Sequence, residues 1–155
     1  MSVQLRDMTV EDLPAVMALE EELFAPDTWT EWMYRDELSR PDTRHYLVAV
    51  DADADVDLDA VVGYAGLIAY PYEAHIATIG VTGTRQHEGI GALLLDALLA
   101  EADGRRTPVL LEVREDDEAT QAFYRRRGFA EIGRRPNYYP LSGKDAVVML
   151  REARR

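Results

Sequence analysis

Glu112 interrupts the most apolar strand-like run of the chain, PVLLEVRE (108–115), and Tyr124 follows twelve residues later in AFYRRRGF. Alternation along a strand puts Leu110, Glu112 and Arg114 on one face and Leu111 and Val113 on the other. A carboxylate so placed has two readings: it pairs with an arginine on a polar strand face, or it is a general base whose pKa is raised by its apolar neighbours. Tyr124 likewise is either an amphipathic aromatic at a helix–sheet boundary or an acid for a departing thiolate, since a phenol's reference pKa exceeds a thiol's by about 1 to 2 units. Arg125, Arg126 and Arg127 form a solvated helix face or anchor a distal phosphate. With no cysteine in the chain, an acyl group cannot pass through an acyl-cysteine.

The second chemical signal is TRQHEGIGALLL (84–95), which follows the apolar run HIATIGV (75–81) and opens an aliphatic helix. Glycine in a helix costs roughly 1 kcal/mol relative to alanine, so Gly89 and Gly91 need a reason. Either they make a tight strand-to-helix turn, or they let a ligand approach N–H groups that have no carbonyl partner in the helix. A nucleotide loop of the Walker type needs Lys and Ser or Thr after its last glycine, but Ala92 and Leu93 follow Gly91, and the only lysine is Lys144. A dinucleotide fingerprint needs glycine or alanine where Leu94 stands, although Glu112 lies at the distance expected of a ribose-binding acid.

These residues need a frame. MTVEDLPAVMALEEELF (8–24) has helical spacing, with Thr9 as cap and Asp12 completing a capping box. A second helix runs from Thr30 and stops before Pro41. Strands are expected at 45–50, 60–70, 75–82, 107–115, 130–139 and 145–151, with helices at 89–103 and 117–129, the last stopped by Gly128. The order β-α-α-β-β-β-α-β-α-β-β, with one β-α-β unit at its centre, implies an α/β fold: a mixed sheet with helices on both faces. The 155 residues make one domain, 1–155.

Composition narrows the partners. The formal charge of −12 repels phosphate backbones, so no nucleic-acid partner is expected, and it favours a basic partner or a cationic substrate. The longest uncharged apolar run, residues 60–72, is too short to cross a membrane, and MSVQLRDM lacks a signal pattern, so a cytoplasmic protein with no membrane partner is expected. His45, His75 and His87 lack metal-ligand spacing and are read as structural or solvent-facing. The acidic turn DADADVDLD (51–59) has Val56 and Val62 where a calcium loop needs Gly and Glu, so it is a solvated hairpin loop and no metal is expected.

Taken together, RQHEGIGALLL, LLEVREDDEATQAFYRRRGF and RRPNYYP resemble the GNAT superfamily of N-acetyltransferases, and in particular its RimI family, which acetylates the N-terminal alanine of small-subunit ribosomal protein eighteen. The resemblance is close over residues 61–150. It implies a GNAT-like mixed, mostly antiparallel central sheet whose β-α-β unit binds acetyl-CoA. By resemblance Glu112 is the base and Tyr124 the acid. Ile79, Val81, Gln86, His87, Glu88, Gly89, Ile90, Gly91, Ala92, Asp117 and Ala119 hold acetyl-CoA, while Trp29, Thr30, Tyr138 and Tyr139 line the acceptor groove. The implied acceptor is a basic protein or peptide N-terminus, and the protein is expected to be a monomer or weak dimer. Rival expectations are a small-molecule amine acetyltransferase and a non-catalytic acyl-CoA-binding module.

Four features depart from the pattern. Glu88 puts a negative charge beside the phosphates and must point away. Asp117 replaces an asparagine, Pro136 is inserted in RRPNYYP, and FAPDTW is longer than the usual FPW. An α-amine acceptor also suits a carboxylate base, because freeing an α-ammonium at neutral pH costs about 3 kcal/mol less than freeing a lysine.

Overall fold

The apolar periodicities become seven strands and four helices in the computed structural model, which describes residues 3–53 and 60–154. In chain order these are β1 (Val3–Asp7), α1 (Leu13–Phe24), α2 (Glu31–Leu38), β2 (Arg44–Asp51), β3 (Val61–Ala69), β4 (Ala74–Val81), α3 (Ile90–Gly104), β5 (Val109–Arg114), α4 (Glu118–Arg125), β6 (Ala130–Tyr139) and β7 (Lys144–Arg151). The expected order holds, and the sequence-derived boundaries shift by a few residues at most. The entry to α1 is a 3-10 turn over Val10–Asp12, where the Asp12 carboxylate accepts the Thr9 N–H at 2.8 Å and so completes the expected box. Gly128 ends the α4 segment in the left-handed region, φ 93°. Most of the acidic turn, 54–59, lies outside the described residues.

The strands form one sheet in the order β1-β2-β3-β4-β5-β7-β6. All neighbours are antiparallel except β4 and β5. On one face α3 packs through Ile90, Leu94, Leu95, Leu98, Leu99 and Ala102, joined by Tyr124 and Phe129. On the other face lie Leu13, Val16 and Leu19 of α1 and Tyr34 of α2. Period-two alternation holds in β5: Val109, Leu111 and Val113 are buried, whereas Leu110, Glu112 and Arg114 are only partly so.

The one parallel pair matters most for function. β4 and β5 are in register only at Ala74↔Val109 and His75↔Leu110, after which they diverge. Within β4 the register with β3 also slips, from Gly66↔Thr78 to Leu67↔Ile76, which leaves Ala77 as an extra residue and bends the strand. The backbone groups lost to the ladder face an opening between the strands.

The wall of that opening is held by a buried carboxylate. Glu20 of α1 is 1% exposed and accepts the hydroxyls of Tyr34 and Tyr64 and the N–H of Trp29. It thereby pins α2, β3 and the α1–α2 connection to one point. Removing the acceptor leaves buried donors unsatisfied at roughly 1 to 3 kcal/mol each. Glu20→Ala is therefore expected to lower the unfolding free energy by about 3 kcal/mol in a urea titration. A loss below about 1 kcal/mol would contradict this role for Glu20.

Candidate active site

Divergence of β4 and β5 opens a cavity of about 420 Å³. Ile76–Ile79 line one side and Leu111–Arg114 the other, with Trp29, Asp117, Tyr124 and Tyr139 around them. Of the residues singled out in the sequence, Glu112, Tyr124, Ile79, Asp117, Trp29 and Tyr139 thus share one chamber. Tyr138 lies outside its lining but touches Glu112, whereas Thr30 is exposed and caps α2 by accepting the Met33 N–H.

Glu112 is the best-defined group in the chamber. Its Oε1 lies 2.8 Å from His75 Nε2 and accepts the Tyr138 hydroxyl at 3.1 Å. No described residue donates to Oε2. Of the two roles expected for His75, structural or solvent-facing, the structural one holds: alternation in β4 and the short parallel pairing place its ring against the carboxylate. The reading of a raised Glu112 pKa is corrected. Burial by itself would lift it, but the His75 hydrogen bond and charge, the Tyr138 hydroxyl and the Arg135 charge together hold it below the usual carboxylate range. Neither does Glu112 pair with an arginine at hydrogen-bond distance. No sequence spacing links positions 75 and 112, although a histidine beginning a strand that runs parallel to the Glu112 strand is a usable signal.

The tyrosines are shifted the other way. Burial first, then the nearby Asp117 and Tyr139, push the Tyr124 phenol well up, and it stays protonated at neutral pH. Tyr138 is pushed up to about 12 by burial and by Glu112. Tyr138 and Tyr139 meet edge to face, with ring centroids 5.0 Å apart.

The glycine turn lies at the N-terminus of α3. Gly89 is the cap, with φ 85°, a left-handed conformation that only glycine adopts cheaply, so it precedes the first helical turn and does not sit inside it. Gly91 is different: an added Cβ would meet Phe123 and Val81 at ordinary contact distances, 3.7 and 3.8 Å. Packing therefore does not impose glycine there. The N–H groups of Ile90, Gly91 and Ala92 lack carbonyl partners within the helix, and the open backbone above them fits an anionic group such as a pyrophosphate. Glu88 is turned to Arg85 at 3.0 Å, which also holds Asp51 at 2.7 Å, so its charge is paired. Exposed His87 takes a positive φ of 67°. The Gln86 side chain donates to the Val81 carbonyl at 3.1 Å. Asp117 caps α4 by accepting the Thr120 N–H at 3.1 Å, which gives the residue a local role whatever else it meets. Ala119 follows in the first turn of that helix.

A divergent parallel pair, a glycine-capped helix and a chamber holding a carboxylate and a protonated phenol agree with what comparison finds. The profile described as Acetyltransferase (GNAT) family matches residues 5–129. The chain is 37% identical to N-alpha-acetyltransferase RimI of Mycobacterium tuberculosis, over 97% of this chain and 93% of the relative. It is 30% identical to the ribosomal protein bS18-alanine N-acetyltransferase of Salmonella typhimurium, over 92% of each. The crystal structure of the ribosomal-protein-S18-alanine N-acetyltransferase from Escherichia coli superposes with a TM-score of 0.85 at 25% identity, covering 99% of this chain and 96% of that one. The chain belongs to the GNAT acetyltransferase family and, within it, to the RimI group of acetyl-CoA-dependent N-acetyltransferases.

The geometry around Glu112 has a direct spectroscopic consequence. With glutamate side chains labelled in ¹³C, the Glu112 carboxyl signal, identified by its loss in Glu112→Gln, is expected to titrate below the ordinary glutamate range. In His75→Ala its midpoint moves upward, because the main partner that stabilises the carboxylate is gone. An unchanged midpoint would mean that His75 does not control it.

Proposed function

We propose that the protein acetylates the α-amine of a protein N-terminus, with acetyl passing directly from acetyl-CoA to the acceptor while both are bound. The observation that carries this reading is the position of Glu112: its free Oε2 and the Tyr124 phenol belong to one chamber where β4 and β5 part. N-terminal alanine of ribosomal protein bS18 is the acceptor suggested by similarity to the enzymes named above, and such an acceptor puts the reaction in the cytoplasm.

In this reading Glu112 takes a proton from the acceptor ammonium, directly or through water, and the freed amine attacks the thioester carbonyl. The C–N bond forms and the C–S bond breaks. A phenol pushed up by burial does not give its proton fully to a thiolate, whose ordinary pKa is near 8.5. Tyr124 instead donates a hydrogen bond to the sulfur as charge develops there and keeps its own proton; the proton still carried by the attacking nitrogen passes through water to the departing thiolate. A lowered Glu112 pKa keeps the base ionised at neutral pH, yet makes it weaker. That combination suits an α-ammonium, with a pKa near 8, better than a lysine near 10.4. The N–H groups of Ile90–Ala92 would hold the pyrophosphate. Trp29, Tyr138 and Tyr139 would border the acceptor, and the absence of cysteine agrees with direct transfer.

Mass spectrometry after incubation with acetyl-CoA tests the reading on two basic peptides: one with a free N-terminal alanine, the other N-terminally blocked and carrying lysine. One added acetyl group on the first peptide alone is the expected result. Glu112→Gln is expected to slow that transfer by about 10²- to 10⁴-fold, the usual range for a lost general base. Acetylation of the lysine peptide alone, or of neither, would contradict the proposal. Full activity in Glu112→Gln would remove Glu112 from the chemistry.

A further inference from the structure

Glu22, in the last turn of α1, reaches out of its own helix to the segment that joins β4 to α3. Its Oε2 accepts the Gly83 N–H at 2.7 Å, and the Thr82 hydroxyl donates to its two oxygens at 3.1 and 3.3 Å. α1 and α3 pack on opposite faces of the sheet, so this contact links one face to the entrance of the helix on the other. Further ties hold the same segment. The Thr82 N–H donates to the Val62 carbonyl of β3 at 2.9 Å, Arg85 joins Asp51 at the end of β2 at 2.7 Å, and the Gln86 side chain donates to the Val81 carbonyl at 3.1 Å.

Apolar packing contributes little to holding this segment. From Gly83 to Gly89 every residue except Arg85 is exposed. Between the segment, α1 and β3 lies a cavity of about 510 Å³, and Glu22 lines it together with Thr82, Thr84 and Arg85. The segment therefore has room to move toward α1, and polar anchors set where it lies.

A carboxylate is an odd anchor beside an anion site. Acetyl-CoA is itself an anion, so a Glu22 that were only a surface charge would disfavour its approach. An anchored segment acts the other way, because a loop already fixed in its bound position loses less conformational freedom when the ligand arrives. The two effects have opposite signs. Repulsion at an exposed position is screened within about 10 Å at ordinary salt, whereas a charge-assisted hydrogen bond to the backbone N–H acts on the segment directly.

We propose that Glu22 is a positioning residue for acetyl-CoA: by accepting the Gly83 N–H and the Thr82 hydroxyl, it holds the β4–α3 segment in the conformation that receives the pyrophosphate. This rests on the reading that the N-terminus of α3 holds that pyrophosphate.

The test measures dissociation constants for acetyl-CoA and for S-acetylpantetheine, which lacks the pyrophosphate. Glu22→Ala is expected to bind acetyl-CoA about five- to tenfold more weakly, as the loss of a charge-assisted anchor implies, with kcat at saturating acetyl-CoA within about twofold of wild type. Its affinity for S-acetylpantetheine is expected to be unchanged, which also shows that the variant is folded. Glu22→Gln keeps an acceptor oxygen for the Gly83 N–H and is expected to recover most of the loss. Glu21→Ala removes the neighbouring exposed carboxylate and is expected to leave acetyl-CoA binding the same or slightly tighter. Acetyl-CoA binding in Glu22→Ala that equals or exceeds that of wild type overturns the inference. So does a loss that Glu21→Ala reproduces or that S-acetylpantetheine shares. Wild-type protein that binds S-acetylpantetheine as tightly as acetyl-CoA overturns the pyrophosphate site itself, and this inference with it.

Discussion

β4 and β5 lie side by side and parallel, yet they share a register for only two residue pairs before separating. A parallel pair needs a crossover, here α3, and the crossover starts where β4 has already turned away. One constraint thus shapes both the chamber and its surroundings. It opens a chamber in the middle of a seven-stranded sheet, it starts α3 from the end of β4 that has left the ladder, and it brings His75, at the last paired position, against Glu112 two residues beyond Leu110. The Ala77 irregularity in β4 sharpens the separation from the other side. A β4 that stayed in register with β5 to its end would fill the chamber with its own hydrogen-bond ladder.

Electrostatics then gives the chamber its character. Carboxylates outnumber cations in its lining, and each is controlled differently. Glu20 is surrounded by neutral donors and acts as an anchor. Asp117 is a helix cap, and Asp116 is held by Arg114. Glu112 is held at one oxygen by His75 and Tyr138, which fixes its orientation and favours its ionised form. A chamber of this kind attracts an ammonium ion and places beside it a group able to take its proton, while a buried phenol in the same lining stays protonated. The same negative charge is tolerable near a pyrophosphate because Glu88, the acid nearest the α3 N-terminus, is paired with Arg85.

Much of this was legible in the sequence because it is local. Period-two alternation placed Glu112 on the correct face of β5, and Thr9, Thr30 and Gly128 marked helix ends through chemistry confined to a few neighbouring residues. The glycine turn was readable for the same reason, although only Gly89 has a cause in the fold, its left-handed cap, while no packing contact accounts for Gly91. The Glu112 pKa direction was not legible: its apolar sequence neighbours suggested a rise, and the residues that reverse it come from β4 and β6, 37 and 26 positions away. Glu20 escaped notice likewise, since a carboxylate on an acidic chain looks like surface until the fold buries it. Resemblance to a family carried over the residues common to that family and was silent on these.

The central claim is that Glu112, held ionised by His75, is the group that must lose its proton before transfer can occur. The most direct measurement is the pH dependence of kcat/KM for an alanine-initiated peptide, in wild-type protein and in His75→Ala. If Glu112 is the proposed base, activity requires its carboxylate; His75 holds that pKa down, so wild type would retain activity to lower pH and removing His75 would shift the acid limb of the profile to higher pH. An acid limb that stays in place when His75 is removed would contradict the account.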